Sequence, residues 1–233
     1  MSLASFEAYY SRPIAPTRRV ALGTLLLPAD PAPGFGGVLL GGIMARFARE
    51  LDVEIDEELD GLVDDLEHDR HIGQPRLRHR LQTDNIGLAR CRHRLEGDGE
   101  RFRFVFESTA GTPTQHVLCA AYAAARTEPE HRGATFAAVR KGLDWIGPID
   151  DALVRFLLDR RSLGASAGSD PDGWARHRLG IEGAPMGDDL RVLVTQAFRE
   201  QLIEAHPDHG GSAELAAGRI SELREARRIL LGR

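Results

Sequence analysis

The sequence predicts an α+β protein. An N-terminal domain with a three-stranded antiparallel meander and several helices is followed by a C-terminal all-α helical hairpin. Three observations predict it. Between 75 and 107, arginines alternate with apolar residues at period two, the strand repeat. At 52–69, 188–205 and 212–231, apolar residues recur at helical spacing. Between these regions "SLGASAGSDPDG" (162–173) is small, polar and broken by glycine and proline, as a linker is. The chain of 233 residues then divides into an α+β domain at 1–161, a linker at 162–173 and a helical domain at 174–233.

Taken in order, residues 1–33 hold several prolines and read as an irregular arm, with at most one strand in the run Val20 to Leu27. The glycine-rich run "GFGGVLLGG" leads into a helix over about 37–50. In 52–69, Ile55, Leu59, Leu62, Val63 and Leu66 form the apolar stripe of a helix whose other face is intensely acidic. "PRLRHRL" (75–81), "ARCRHRL" (89–95) and "RFRFVFE" (101–107) are the three expected strands, the last two joined by the turn signal "EGDG". Helices are expected over about 112–126, 135–146 and 149–161. After the linker, "WARHRLGI" (174–181) holds a short helix. Leu190, Val194, Ala197, Phe198 and Leu202 give the next helix its stripe. Leu215, Ile220, Leu223, Ala226, Ile229 and Leu230 do so for the last one.

Composition excludes several function classes. A net charge of −5 disfavours a general role on nucleic acid or membrane surfaces. Two distant cysteines, Cys91 and Cys119, make neither a disulfide scaffold nor a four-cysteine zinc module. The N-terminus has no signal-peptide pattern, and the apolar run 34–47 is too short for a bilayer, so a cytoplasmic protein without a membrane partner is expected. No nucleophile motif is present. The glycine run lacks the Lys-Ser/Thr of a phosphate loop, and His68 and His71 beside Asp69 sit at an exposed helix end. No enzyme and no cofactor are expected.

Alternation places Arg76, Arg78 and Arg80 on one face of the meander, joined by Arg90, Arg92, Arg94, Arg101 and Arg103. Leu77, Leu81, Cys91, Leu95, Phe102, Phe104 and Phe106 take the opposite, core side. The arginine face reads as solvated or self-paired, because the acidic helix lies just upstream and Asp84, Glu96, Asp98 and Glu100 dilute it. The alternative is an interaction module, with the face binding nucleic acid or an acidic protein and the helical hairpin serving as scaffold. His79, Cys91 and His93 share the apolar side. A soft metal site is conceivable there, but buried His and Cys are commoner as core, and no metal is assigned.

"EAHPDHGGS" (204–212) joins the last two helices. Pro207 ends the first helix and forces His206 out of helical geometry, and Gly210 and Gly211 allow the return. The turn explains the proline and the glycines. It does not explain His206 or Asp208.

The whole pattern runs from a short helix ending in "LGI" through "AFREQL", "HPD" and a Gly-Gly-Ser turn to "LREARRIL". Over about 172–233 it resembles the J domain of the DnaJ family of co-chaperones. The resemblance implies that His206, Pro207 and Asp208 dock on the ATPase domain of a DnaK-type chaperone and accelerate its ATP hydrolysis. Asp208 would offer a carboxylate to a partner arginine, Pro207 would keep the loop rigid, and His206 would pack or hydrogen-bond. Arg191 and Arg199 would meet acidic surface on that partner. Glu200 and Glu204 stand where the family is often basic, so long-range steering should be weaker. The sequence stops at Arg233, before the family's fourth helix, and it has neither a Gly/Phe-rich segment nor a zinc ribbon. By family logic the N-terminal domain supplies specificity for a client protein or assembly.

Overall fold

Residues 2–10, "SLASFEAYY", alternate in burial except at Glu7. Ala4, Phe6, Ala8 and Tyr10 are buried on one side, while Ser5 and Tyr9 on the other are only partly covered. They form β1 (Ser2–Tyr10), the middle strand of a five-stranded mixed sheet. The computed structural model describes residues 1–12, 18–98, 101–107, 111–158, 171–182, 188–205 and 213–231. These fall into two compact units, Met1–Leu143 with Ile149–Leu158, and Asp144–Pro148 with Asp159–Arg233.

In the first unit, β2 (Arg19–Leu26), β3 (Arg80–Gln82), β4 (Ala89–Gly97) and β5 (Phe102–Phe106) complete the sheet in the order β3-β2-β1-β4-β5. β1 pairs antiparallel with both β2 and β4, β4 with β5 likewise, and β2 with β3 in parallel. A bulge in the β1–β2 ladder sets Glu7 opposite Gly23 and Thr24, whose backbone N–H donates to Glu7 Oε2 at 3.4 Å.

This corrects the expected three-stranded antiparallel meander. The β4–β5 hairpin forms, but the neighbour of β4 is β1, from the arm expected to be irregular. The first expected strand, 75–81, is mostly a turn. Arg76 and His79 exchange backbone hydrogen bonds of 2.8 Å in both directions. Leu77 and Arg78 between them take positive φ, 46° and 61°. That is the tight hairpin turn whose two central residues are left-handed. Leu77 and His79 are buried, so the turn keeps a period-two burial pattern without being a strand. Only Arg80–Gln82 pairs, and it does so at the far edge of the sheet.

Helix α1 (Gly34–Phe47) is buried on every side except at Phe35 and Arg46, as a helix apolar all round must be. It packs against β1, β4 and β5. Its Gly41 meets Gly142 of α4 (Pro129–Asp144) so closely that a Cβ on Gly142 would stand 2.1 Å from the Gly41 carbonyl oxygen. α3 (Pro113–Ala124) packs on α1, and α5 (Asp151–Leu158) touches α1 and β5. α2 (Val53–Glu67) buries Ile55, Leu59, Leu62, Val63 and Leu66, its expected stripe. Its acidic side is not left open. Asp64 is held by Arg70 at 2.6 Å, Glu67 by Arg140 at 2.5 Å and Asp65 by Arg76 at 3.1 Å.

In the second unit, α6 (Pro171–Leu179), α7 (Asp188–Glu204) and α8 (Ala213–Leu231) share a core of Ala175, Leu179, Val194, Ala197, Phe198, Ala205, Ile220, Leu223 and Ala226. The "LGI" stretch ends α6 as a Schellman motif. Gly180 takes φ +69° and donates to the His177 carbonyl at 3.1 Å, while Ile181 donates to that of Arg176 at 2.9 Å. Arg219 near the start of α8 reaches Gln201 at 3.3 Å and Glu204 at 3.6 Å near the end of α7, so the two helices run antiparallel. Arg178–Glu222, 2.6 Å, ties α6 to α8. No helix among the described residues is long and apolar enough to cross a membrane.

Candidate functional site

Three places gather functional groups. The first is the outer face of α7. Packing Val194, Ala197 and Phe198 inward turns Arg191, Val192, Gln196, Arg199, Glu200 and Ile203 outward. Val192 and Ile203 are each 68% exposed. The face therefore combines two apolar side chains with the arginines expected to meet a partner, Arg191 and Arg199. It also carries Glu200, whose carboxylate accepts from Gln196 at 3.0 Å. His206, Pro207 and Asp208 lie outside the described residues, in the connection between α7 and α8.

The second is the open face of the sheet. Cross-strand pairing sets Glu7 beside Arg92, Ser5 beside Arg94, Tyr9 beside Arg90 and Glu96 beside Arg103. Arg80, paired with Arg19, belongs to the same face at the β3 edge. Arg101 sits at the hairpin end, its N–H donating to Asp98 at 2.8 Å. Arg76 and Arg78 do not join them. The turn sends them to α2, where Arg76 pairs with Asp65 and Arg78 reaches Glu54 at 3.4 Å. In the middle of the face Glu7, with its side chain 8% exposed, accepts from Arg92 Nε at 3.0 Å and lies 3.6 Å from Arg90. Arg94 lies 3.5 Å from Glu96. The Arg92 guanidinium beside Glu7 holds its carboxyl below the usual glutamate range, against the effect of burial. Sequence alternation found the arginines of β4 and β5 but missed Glu7, which neutralises part of them.

The third lies under the sheet and is fully buried. His93 and Cys91 point inward from β4, Tyr10 from β1 and His116 from the first turn of α3. Thr112 and Pro113 start that helix, and the Gln115 side chain accepts from the Thr112 N–H at 2.8 Å, which fixes the entry of the helix. His93 Nε2 stands 3.0 Å from His116 Nδ1, Cys91 Sγ 3.7 Å from His93 Nε2, and Tyr10 Oη 3.2 Å from His116 Nδ1. The Cys91 thiol also donates to the Glu107 carbonyl at 2.7 Å. Phe47 stacks on His116 with ring centroids 4.0 Å apart, and Phe6 and Phe106 flank His93. Burial pushes His93 down to about 3 and His116 down to about 4, so both imidazoles are neutral at pH 7, and it pushes the Cys91 thiol up to about 11.

His79, grouped with Cys91 and His93 on sequence, is absent from this cluster. Its Nδ1 lies 2.6 Å from the Leu77 carbonyl within the turn. His116, 23 residues beyond His93, replaces it. The signal for it was local: a Thr-Pro-x-Gln helix start, with His116 and Cys119 three apart on one face. No family model, curated protein or solved structure matches the chain.

Proposed function

We propose that the chain is a co-chaperone of the J-domain class, acting in the cytoplasm on a DnaK-type chaperone. The observation that carries this reading is the exposed outer face of α7, where Arg191 and Arg199 stand beside the uncovered Val192 and Ile203. It leads directly into the segment that carries His206, Pro207 and Asp208. Exposed aliphatic residues flanked by arginines suit a partner surface that is apolar at its centre and acidic at its rim. The antiparallel pairing of α7 and α8, with the His-Pro-Asp tripeptide between them in sequence, supports this reading.

The chain itself performs no chemistry in this reading. Asp208 bonds a partner arginine, and binding favours the hydrolysis-competent state of the partner. The first unit selects the client or assembly. Steady-state ATPase assays of a DnaK-type chaperone from the same cell, with wild type and with His206→Gln, test it. Wild type stimulates hydrolysis and the variant does not. Equal stimulation by both, or none by either, refutes the reading.

A further inference from the structure

We infer that Cys91, His93 and His116 hold a structural divalent metal ion of the zinc type, with the Tyr10 hydroxyl at the fourth corner. The inference concerns the first unit alone and is independent of the co-chaperone reading.

The geometry is the first argument. One donor atom each from Cys91, His93 and His116 converges, all within 4.8 Å of one another. Zinc bonds of about 2.0–2.1 Å to nitrogen and about 2.3 Å to sulfur give tetrahedral N···N edges of roughly 3.4 Å and N···S edges of roughly 3.6 Å. The separations of 3.0 Å between His93 and His116 and 3.7 Å between Cys91 and His93 are close to those edges. Tyr10 Oη, 3.2 Å from His116 Nδ1, fits an N···O edge of the same figure.

The same donor atoms are now joined by hydrogen bonds, which a bound ion would replace. An unprotonated imidazole nitrogen has one lone pair in the ring plane. His116 Nδ1 faces two groups at bonding distance, Tyr10 Oη and His93 Nε2, and one lone pair serves only one of them well. If instead His116 Nδ1 carries the proton, it donates to His93 Nε2, and the Tyr10 hydroxyl turns to the Cys91 sulfur. A cation at the point where the donor atoms converge uses the facing lone pairs at once.

The donor set excludes the hard ions. One thiolate and two imidazoles suit zinc, cobalt(II) or copper, not magnesium or calcium, and metal analysis of the purified chain tells zinc from copper. The rings of Phe6, Phe47 and Phe106 wall the cluster from water, and no position is left for a substrate. A closed site of this kind is structural. It would tie β1, β4 and α3 together, elements far apart in sequence. Loading exchanges one proton for the metal: Cys91–SH loses its hydrogen, Sγ leaves the Glu107 carbonyl, and the proton passes to solvent.

The test uses the full chain. Protein purified from zinc-supplemented cells is assayed for metal by mass spectrometry, stripped with a chelator and titrated with cobalt(II). The expected results are one zinc per chain, a thiolate-to-cobalt charge-transfer band with intense tetrahedral visible bands, and a melting temperature raised by added zinc. Cys91→Ser loses the charge-transfer band, His116→Gln loses stoichiometric zinc, and His79→Gln keeps both. If either ligand variant fails to fold, the wild-type cobalt spectrum decides alone. A wild-type chain that gives no thiolate band, or ligand variants that fold and keep one zinc, overturns the assignment.

Discussion

Glu7 accepts a hydrogen bond of 3.0 Å from Arg92 Nε across the β1–β4 pair, at the centre of the open sheet face. One carboxylate thereby serves two arginines, since Arg90 lies 3.6 Å away. Glu7→Gln keeps the shape and removes the charge. It should lower the free energy of unfolding by about 1.5 kcal/mol, the scale of a hydrogen bond to a charged group. Urea unfolding at pH 7 checks this, and an unchanged midpoint would show that the pair contributes nothing.

The same pair sets a pH dependence. Arg92 chiefly, and the Thr24 N–H, hold the Glu7 carboxyl below its ordinary range, so the folded protein binds this proton less readily than the unfolded chain. Stability from Glu7 is therefore fully present above the unfolded-state pKa and is lost as pH falls through the lower folded value. Unfolding midpoints measured from neutral into acid pH should decline less steeply in Glu7→Gln than in wild type.

Arg78→Gly discriminates the turn from the strand that the alternating sequence suggests. At φ 61°, Arg78 bears a conformational cost that glycine does not. Its ion pair with Glu54 joins side chains that are 62% and 86% exposed and stabilises little. The substitution should stabilise by about 0.5–1 kcal/mol. A strand residue replaced by glycine would give the opposite sign, so chemical denaturation separates the two.

Two glycines of α4 should behave in opposite ways. A Cβ on Gly142 meets the Gly41 backbone, with the carbonyl oxygen at 2.1 Å, and neither backbone can turn aside as a side chain could. Gly142→Ala should destabilise by about 3 kcal/mol or more. A methyl group on Gly133 would meet nothing within 4 Å, and this residue lies on the exposed side of the same helix. Gly133→Ala should stabilise by about 0.8 kcal/mol through helix propensity. Thermal melts of both variants provide the comparison.

Ile203→Asp tests the outer face of α7. The residue is 68% exposed, so the fold should change by less than about 0.5 kcal/mol. If the face docks a chaperone, stimulation of its ATPase should fall several-fold while circular-dichroism melts stay the same. Undiminished stimulation would remove this face from the interface.

Much of the helical architecture was legible because helical periodicity is a local property. The five apolar positions of α2 are buried as their spacing required, and in α7 Val194, Ala197 and Phe198 are buried with Leu190 and Leu202 packed partly covered against them. The β1 strand was legible in principle, since Ala4, Phe6, Ala8 and Tyr10 alternate with Ser5, Glu7 and Tyr9. The prolines at 13, 16 and 28 drew the whole arm toward an irregular reading.

The sequence by itself determined helices α2, α7 and α8 and the β4–β5 hairpin, each of which depends on residues a few positions apart. It did not fix every helix end: α4 begins at Pro129 rather than near 135, and α6 at Pro171, inside the expected linker. Only the tertiary structure decided that β1 lies between β2 and β4 and that 76–79 is a turn. It also decided that Tyr10 meets His116 across 106 positions of sequence. The physical reason is that alternation reports which side of the backbone is buried, not which strand lies alongside. The left-handed turn buries Leu77 and His79 with the same period as a strand. Strand partners follow from burying the shared face under α1 and α3, and that choice depends on the whole core at once.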